Sequence, residues 1–330
     1  MRGFVLVPLG VGALLLSQTA PPLTKVDVSL GDVSINKVPQ LVAADQGIYA
    51  KYGLDVHQTI SAGAARVAAA SGVLVPDGYV ERGGGPIQVG GGSPMIYSSV
   101  VNGRPARVIV LTQEPMAMDH VIARQGINSI EDLKGKRVGF SGVGAVTHFS
   151  ALALAKRLGW SPDRDVTLVG SSATLDALKQ DKVDAILVSA MVIALAPNAG
   201  FKDVGDLSKY KIPMAGSGIM VDKAYLSSNR DTVLRFLKAD IEATALMQRD
   251  RKVFNAALAK WFNITDSATQ AGMFAFVNKF EKKPYPSVDG VKQIFAVYDS
   301  PEMRKHKPEE FYDSSLVAEL DKSGFLNNPE

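Results

Sequence analysis

From Val26 to about residue 222 the chain alternates short apolar runs with amphipathic stretches, and that rhythm restricts its fold more than any other feature. Residues 26–30 (VDVSL), 54–59, 107–111 (RVIVL), 121–123, 136–140, 165–169 and 183–188 read as strands. Between the first two, Val38, Leu41, Val42, Ala44 and Ile48 recur at helical spacing, with Pro39 suited to a first turn and Gly53 to a left-handed cap. Residues 61–71, a segment starting at Ser93-Pro94, and residues 145–158, 174–180 and 191–199 also read as helices. Strand–helix alternation of this kind predicts an α/β chain with a mostly parallel sheet covered on both faces. After about residue 222 the strands stop, and Val233, Phe236, Leu237, Ile241 and Thr244 mark one face of a helix over 231–247. Residues 72–92, with two glycine triplets around IQV, carry the least pattern.

The 330 residues are enough for two domains with their own cores. A net charge of +3, spread along the chain, gives no basic patch for nucleic acid, and Lys282-Lys283 reads as solvated surface. The absence of cysteine excludes disulfides, thiolate metal sites, a cysteine nucleophile and a lipid-modified N-terminal cysteine. At the N-terminus Arg2 precedes the apolar run FVLVPLGVGALLL (4–16) and the small, polar SQTA (17–20). That run is shorter than the roughly 20 residues a bilayer-spanning helix needs and fits a cleaved secretory signal, assigned to residues 1–24. The mature chain is therefore expected outside the cytoplasm.

VGFSGVGAVTH (138–148) reads as strand, glycine-rich turn and helix start. A dinucleotide fingerprint would place a third glycine where Thr147 stands and an acid at the end of the next strand, which instead runs into Gly170-Ser171-Ser172. No P-loop lysine is present either. The turn keeps the physics such sites share, namely exposed backbone N–H groups, a helix N-terminus, and the hydroxyls of Ser141 and Thr147; a plain tight βα turn would read the same. His57, His120, His148 and His306 have no metal-ligand spacing, no G-x-S-x-G elbow occurs, and Asp184 in VDA reads as a strand-edge acid. No nucleophile stands beside a base. These observations favour a binder over an enzyme, with no cofactor or metal.

Four strings in order carry a family resemblance. VPQLVAADQGIYAKYGLDV (38–56), SIEDLKGKRVG (129–139), LGWSPDRDV (158–166) and ALKQDKVDAILV (177–188) resemble the extracytoplasmic solute-binding proteins of ABC importers, in the family that includes aliphatic sulfonate, taurine, nitrate and thiamine-pyrimidine binders. The resemblance implies a periplasmic-binding-protein type II-like fold: two α/β lobes joined by two crossovers, with a ligand cleft between them. Lobe one would hold residues 25–115 and 220–330, lobe two 116–219. It implies a periplasmic monomer that captures a small-molecule ligand by hinge closure and presents it to the membrane subunits of an importer.

Carried onto this chain, the resemblance nominates Ser34 and Asn36 before the first helix, Gly92 and Ser93 after the second glycine cluster, and Gln113 and Glu114 at the first crossover. In lobe two it nominates Ser141, Gly142, Val143, Gly144 and Ala145 in the opening turn, and Ser189 and Met191 after the VDAILV strand. Gly216 and Ser217 would serve the hinge. Gln88 stands where related sequences often carry an acid, and Pro197 comes later than the family's usual proline. Serines and backbone N–H groups suit a sulfonate-, nitrate- or carboxylate-like anion, whereas Glu114 and Asp32 would oppose an anion and suit an amine or ring N–H. The alternative ligand is a heteroaromatic such as a thiamine pyrimidine precursor. The fungal pyrimidine-precursor synthases share part of this resemblance, but this chain lacks their cysteine-rich motif.

Overall fold

A computed structural model of the chain describes residues 22–329 except 33, 71–77, 81–83 and 105–106. The apolar leader therefore lies outside the described residues up to residue 21, as does much of the glycine-rich stretch 72–92. In chain order come β1 (Thr24–Leu30), α1 (Val38–Asp45), α2 (Ile48–Lys51), β2 (Leu54–Ile60), α3 (Ala62–Ala70), β3 (Ile87–Gly91), α4 (Gly92–Val101) and β4 (Arg107–Thr112). They are followed by β5 (His120–Ala123), β6 (Arg137–Gly139), α5 (Val146–Arg157), β7 (Thr167–Val169), α6 (Leu175–Lys179), β8 (Ala185–Val188), α7 (Ala190–Leu195) and β9 (Lys202–Asp206). After β10 (Ser217–Asp222) the chain is helical: α8 (Lys223–Ser228), α9 (Arg230–Arg249), α10 (Arg251–Phe262), α11 (Ser267–Val277), α12 (Val288–Val297) and α13 (Ser315–Lys322). Among the described residues no helix is long and apolar enough to cross a membrane.

The strands form two five-stranded sheets, β2-β1-β3-β10-β4 and β7-β6-β8-β5-β9. The sheets are mixed rather than mostly parallel. In the first, β2, β1 and β3 run parallel, and β10 is antiparallel to both β3 and β4. In the second, β7, β6 and β8 run parallel, and β5 is antiparallel to both β8 and β9. The expectation of parallel pairing came from βα alternation, which does not report the strands through which the chain enters one sheet from the other.

Side-chain alternation assigns each strand face to a core. In β8, Ala185 and Leu187 join one apolar cluster while Ile186 and Val188 join another, so a continuously apolar strand is buried on both faces. On sheet one, Val28, Ile87, Val89 and Val110 meet α1 and the helices α9 and α10. The α9 stripe expected from sequence is buried as a set: Val233, Phe236, Leu237, Ile241 and Thr244. The VPQLVAADQGIYAKYGLDV string owes its two glycines to backbone shape, since Gly47 and Gly53 both hold positive φ at helix ends.

Two segments connect the sheets and run side by side. The N–H groups of Gln113, Ala117, Met214 and Gly216 donate to Ser217 O, Ile212 O, Pro115 O and Glu114 O at 2.7, 2.9, 2.9 and 3.0 Å. Helix α12 lies against this ribbon so closely that a Cβ on Gly290 would overlap the Met214 backbone.

Candidate functional site

The parallel halves of the two sheets point the carboxyl ends of their strands at a common cleft of about 370 Å³. This is where open α/β sheets place ligands, because strand ends deliver loops and helix N-termini together. One wall is the loop after β1, with Asp32, Ser34, Asn36 and Lys37, joined by Gln88, Gly90, Gly91 and Pro94 from β3 and α4. The other wall holds Ser141, Ala145 to Thr147, and Leu187 to Ser189 with Val192. Glu114, Met118, Asp119, Met214 and Ser217 come from the connecting segments and form the floor, and Phe276 adds an aromatic side chain.

Of the residues nominated from sequence, the cleft gathers Ser34, Asn36, Glu114, Ser141, Ala145 and Ser189. Ser34 and Asn36 do not cap the following helix: the Ser34 hydroxyl donates to Asp32 Oδ1 at 2.9 Å, and the buried Asn36 Oδ1 has no partner. Ser189 stands at the N-cap of α7 without a side-chain capping bond. Met191 lies in α7, and its side chain is outside the described residues.

The other nominated residues do not line the cleft, each for a local reason. The Gly92 N–H donates to Ala215 O at 2.9 Å and a Cβ there would overlap Ile109 and Ala215, so it packs α4 on the connector. Ser93 is fully buried behind it. Gln113 turns away, its Nε2 donating to Asp240 Oδ2 at 3.4 Å. In the opening turn Val143 is 67% exposed on the outside. The Gly144 N–H donates to His148 Nδ1 at 3.1 Å and the Ala145 N–H to Gly142 O at 3.0 Å. Gly142 and Gly144 thus shape the turn, and two of the backbone donors expected to face a ligand are consumed within it. Thr147 braces the same turn: its Oγ1 accepts from the Ser141 N–H at 2.9 Å and donates to Ser141 Oγ at 3.1 Å. Ala145, Val146 and Thr147, at the N-terminus of α5, line the cleft, and there the helix dipole favours negative charge.

Three site residues escaped the sequence reading. Lys37, 2% exposed, places Nζ 2.9 Å from Asp32 Oδ1 and 3.4 Å from Ser217 Oγ. A buried ammonium needs such pairing to offset its lost hydration. Asp119 is also buried, and its carboxylate accepts from the Ser150 hydroxyl. Burial pushes it up to about 6, against the opposing effect of that hydrogen bond. Ser217 was read only as a hinge residue, yet it contacts both Lys37 and Glu114. Glu114 itself is 4% exposed; its Oε2 accepts from the Ser217 N–H at 3.2 Å, and burial pushes its carboxyl up to about 7, with Asp119 adding to the effect. A lone lysine between strand and helix reads as solvated surface, so no local signal marked Lys37. Among the described residues no cluster of His, Asp and Glu could hold a metal ion.

A mixed two-sheet α/β architecture with its cleft at the strand ends and a paired connecting ribbon defines the periplasmic-binding-protein fold. The chain belongs to the NMT1/THI5-like family, whose profile matches residues 34–251. It is 24% identical over 163 residues to a Brachyspira hyodysenteriae protein described as an ABC transporter periplasmic binding protein, a match covering 49% of this chain and 46% of that protein. The chain thus matches about half the length of this relative. Among solved structures it resembles the periplasmic nitrate-binding protein NrtA from Synechocystis PCC 6803, at 11% identity and TM-score 0.71 over 92% of this chain and 90% of that one. It also resembles the periplasmic aliphatic sulphonate binding protein SsuA from Escherichia coli, at 17% identity and TM-score 0.62 over 87% and 97%. The desulfurization enzyme DSZB shares the fold, at 13% identity and TM-score 0.58 over 91% and 99%.

Proposed function

We propose that this protein is the solute-binding component of an ABC-type importer. It is exported by a leader within residues 1–24, works in the periplasm as a monomer, and closes two lobes, 25–115 with 220–330 and 116–219, on a small organic acid. The observation that carries this reading is the cleft: its walls come from strand ends of both sheets, and its floor is the paired connector between them. Ser141, Ser189 and the N-terminus of α5 supply donors for a sulfonate-, nitrate- or carboxylate-like group, while Met118, Val192 and Phe276 suit a compact apolar body. Binding proteins of the same fold, such as NrtA and SsuA, support the role, and the proposed action is capture and release without turnover. The membrane subunits of the importer would read the closed form.

The test is a thermal-shift screen of sulfonates, nitrate, carboxylates and pyrimidines on the mature chain. A bound solute at a hundred times its dissociation constant should add about 2.7 kcal/mol of stability. A melting temperature that none of these moves would sink the reading, and conversion of a bound sulfonate to sulfite would show an enzyme instead.

A further inference from the structure

The floor of the cleft holds hydrogen-bond acceptors with nothing to accept. Glu114 Oε1 is buried and without a partner, and so is Asn36 Oδ1 on the wall above it. Both residues line the cleft, so each unpaired oxygen belongs to its wall. The charge around them has the same sense. Asp32, Glu114 and Asp119 contribute three carboxyls, whereas Lys37 is the one cationic side chain lining the cleft among the described residues, and it is already held by Asp32. A bare oxyanion seated against Glu114 would bring oxygen to oxygen in a region of low dielectric, where an unpaired acceptor is costly. Glu114 Oε2 already takes the Ser217 N–H, which helps the carboxyl carry charge once a second donor arrives at Oε1.

We propose that Glu114 reads an N–H donor on the ligand, so that the cleft selects solutes carrying an amino, amidino or ring N–H group over the same solutes without one. This rests on the solute-binding reading above and narrows the class of solute. In this arrangement the acidic end of the ligand faces the first turn of α5 and Ser189, and the nitrogen end faces the floor, with Asn36 Oδ1 as a second acceptor. Asp119 and Asp32 add favourable potential for a positively charged nitrogen.

The experiment is titration calorimetry on the mature chain at pH 7.5 with matched pairs: 3-aminopropanesulfonate against propanesulfonate, β-alanine against propionate, and 4-aminopyrimidine against pyrimidine. The aminated member of a binding pair should bind at least about tenfold tighter, the scale of one hydrogen bond to a charged group. In Glu114→Gln, checked for folding by circular dichroism, that preference should fall to within about threefold, since the amide can present N–H in place of the charged oxygen. Equal or tighter binding of the unaminated members by the wild-type chain would overturn this inference while leaving solute capture intact. Unchanged preference in folded Glu114→Gln would overturn it too, by showing that another group reads the nitrogen. Binding of none of the six probes, with a hit elsewhere in the thermal-shift screen, would overturn this inference alone; no hit in that screen either would remove the solute-binding reading with it.

Discussion

At the scale of single residues, the cleft floor is built from groups that are costly to bury. Glu114 titrates near 4.5 in an unfolded chain and near 7 in the folded one. Between those values the folded state holds more protons, so this group's contribution to stability is complete below 4.5 and is lost as pH rises through 7. A shift of that size corresponds to about 3 kcal/mol. Asp119, pushed up to about 6, and Asp240, pushed up by burial to about 7 beneath Gln40 and Gln113, act in the same direction. The ligand-free protein should therefore lose stability to urea between pH 5 and pH 8, and Glu114→Gln should flatten that loss by about 3 kcal/mol. An unaltered slope in the variant would show that the Glu114 carboxyl is hydrated. Glu114 was legible in the sequence because the resemblance placed a polar pair at the crossover. Its neighbour Gln113 was nominated on the same ground, yet alternation along the extended segment sends the two side chains to opposite sides.

At the scale of elements, the strand–turn–helix unit around VGFSGVGAVTH is held from within. Gly144 has φ +82° and a Cβ there would overlap the Tyr97 ring, while Gly142 has open space beside it. Gly144→Val should therefore lower the melting temperature, at a cost of about 1–3 kcal/mol, whereas Gly142→Ala should stay within about 0.5 kcal/mol. Differential scanning calorimetry distinguishes them; equal melting temperatures would mean that the left-handed turn is not required. His148 has a comparable role. Burial lowers its pKa, its Nδ1 accepts from Gly144 and its ring stacks 4.5 Å from Phe140. Its pairing supports the turn above the ordinary histidine range and is lost as pH falls through the lowered value. The strand and the helix were readable as periodicity. The internal bonding of the turn was not, because it depends on where α5 places Thr147 and His148 relative to a bend with no period of its own. The same applies to β9, whose KDVGD sequence has low strand propensity and forms a polar sheet edge only because β5 lies beside it.

At the scale of the molecule, an apolar cluster runs from sheet one through α4, α5 and α12 into sheet two, and Tyr97 and Tyr298 meet within it at 4.9 Å. In the proposed hinge motion, opening the cleft would separate α4 from α5 along this seam while the connecting ribbon bends. Saturating solute should thus reduce the radius of gyration measured by small-angle scattering; an unchanged radius at saturation would argue against a hinge. From the sequence alone came the α/β alternation, the helical tail, the strand–turn–helix of the candidate site and the family strings, because each is a local pattern of side-chain period or turn chemistry. Tertiary structure alone decided the antiparallel placement of β5 and β10, the burial of Lys37 and Asp119, and the meeting of Lys37, Glu114 and Ser217 at one floor. Those residues lie as far apart as 180 positions in the chain, and burial, which sets both their pairing and their proton affinity, depends on which distant segments fold over them.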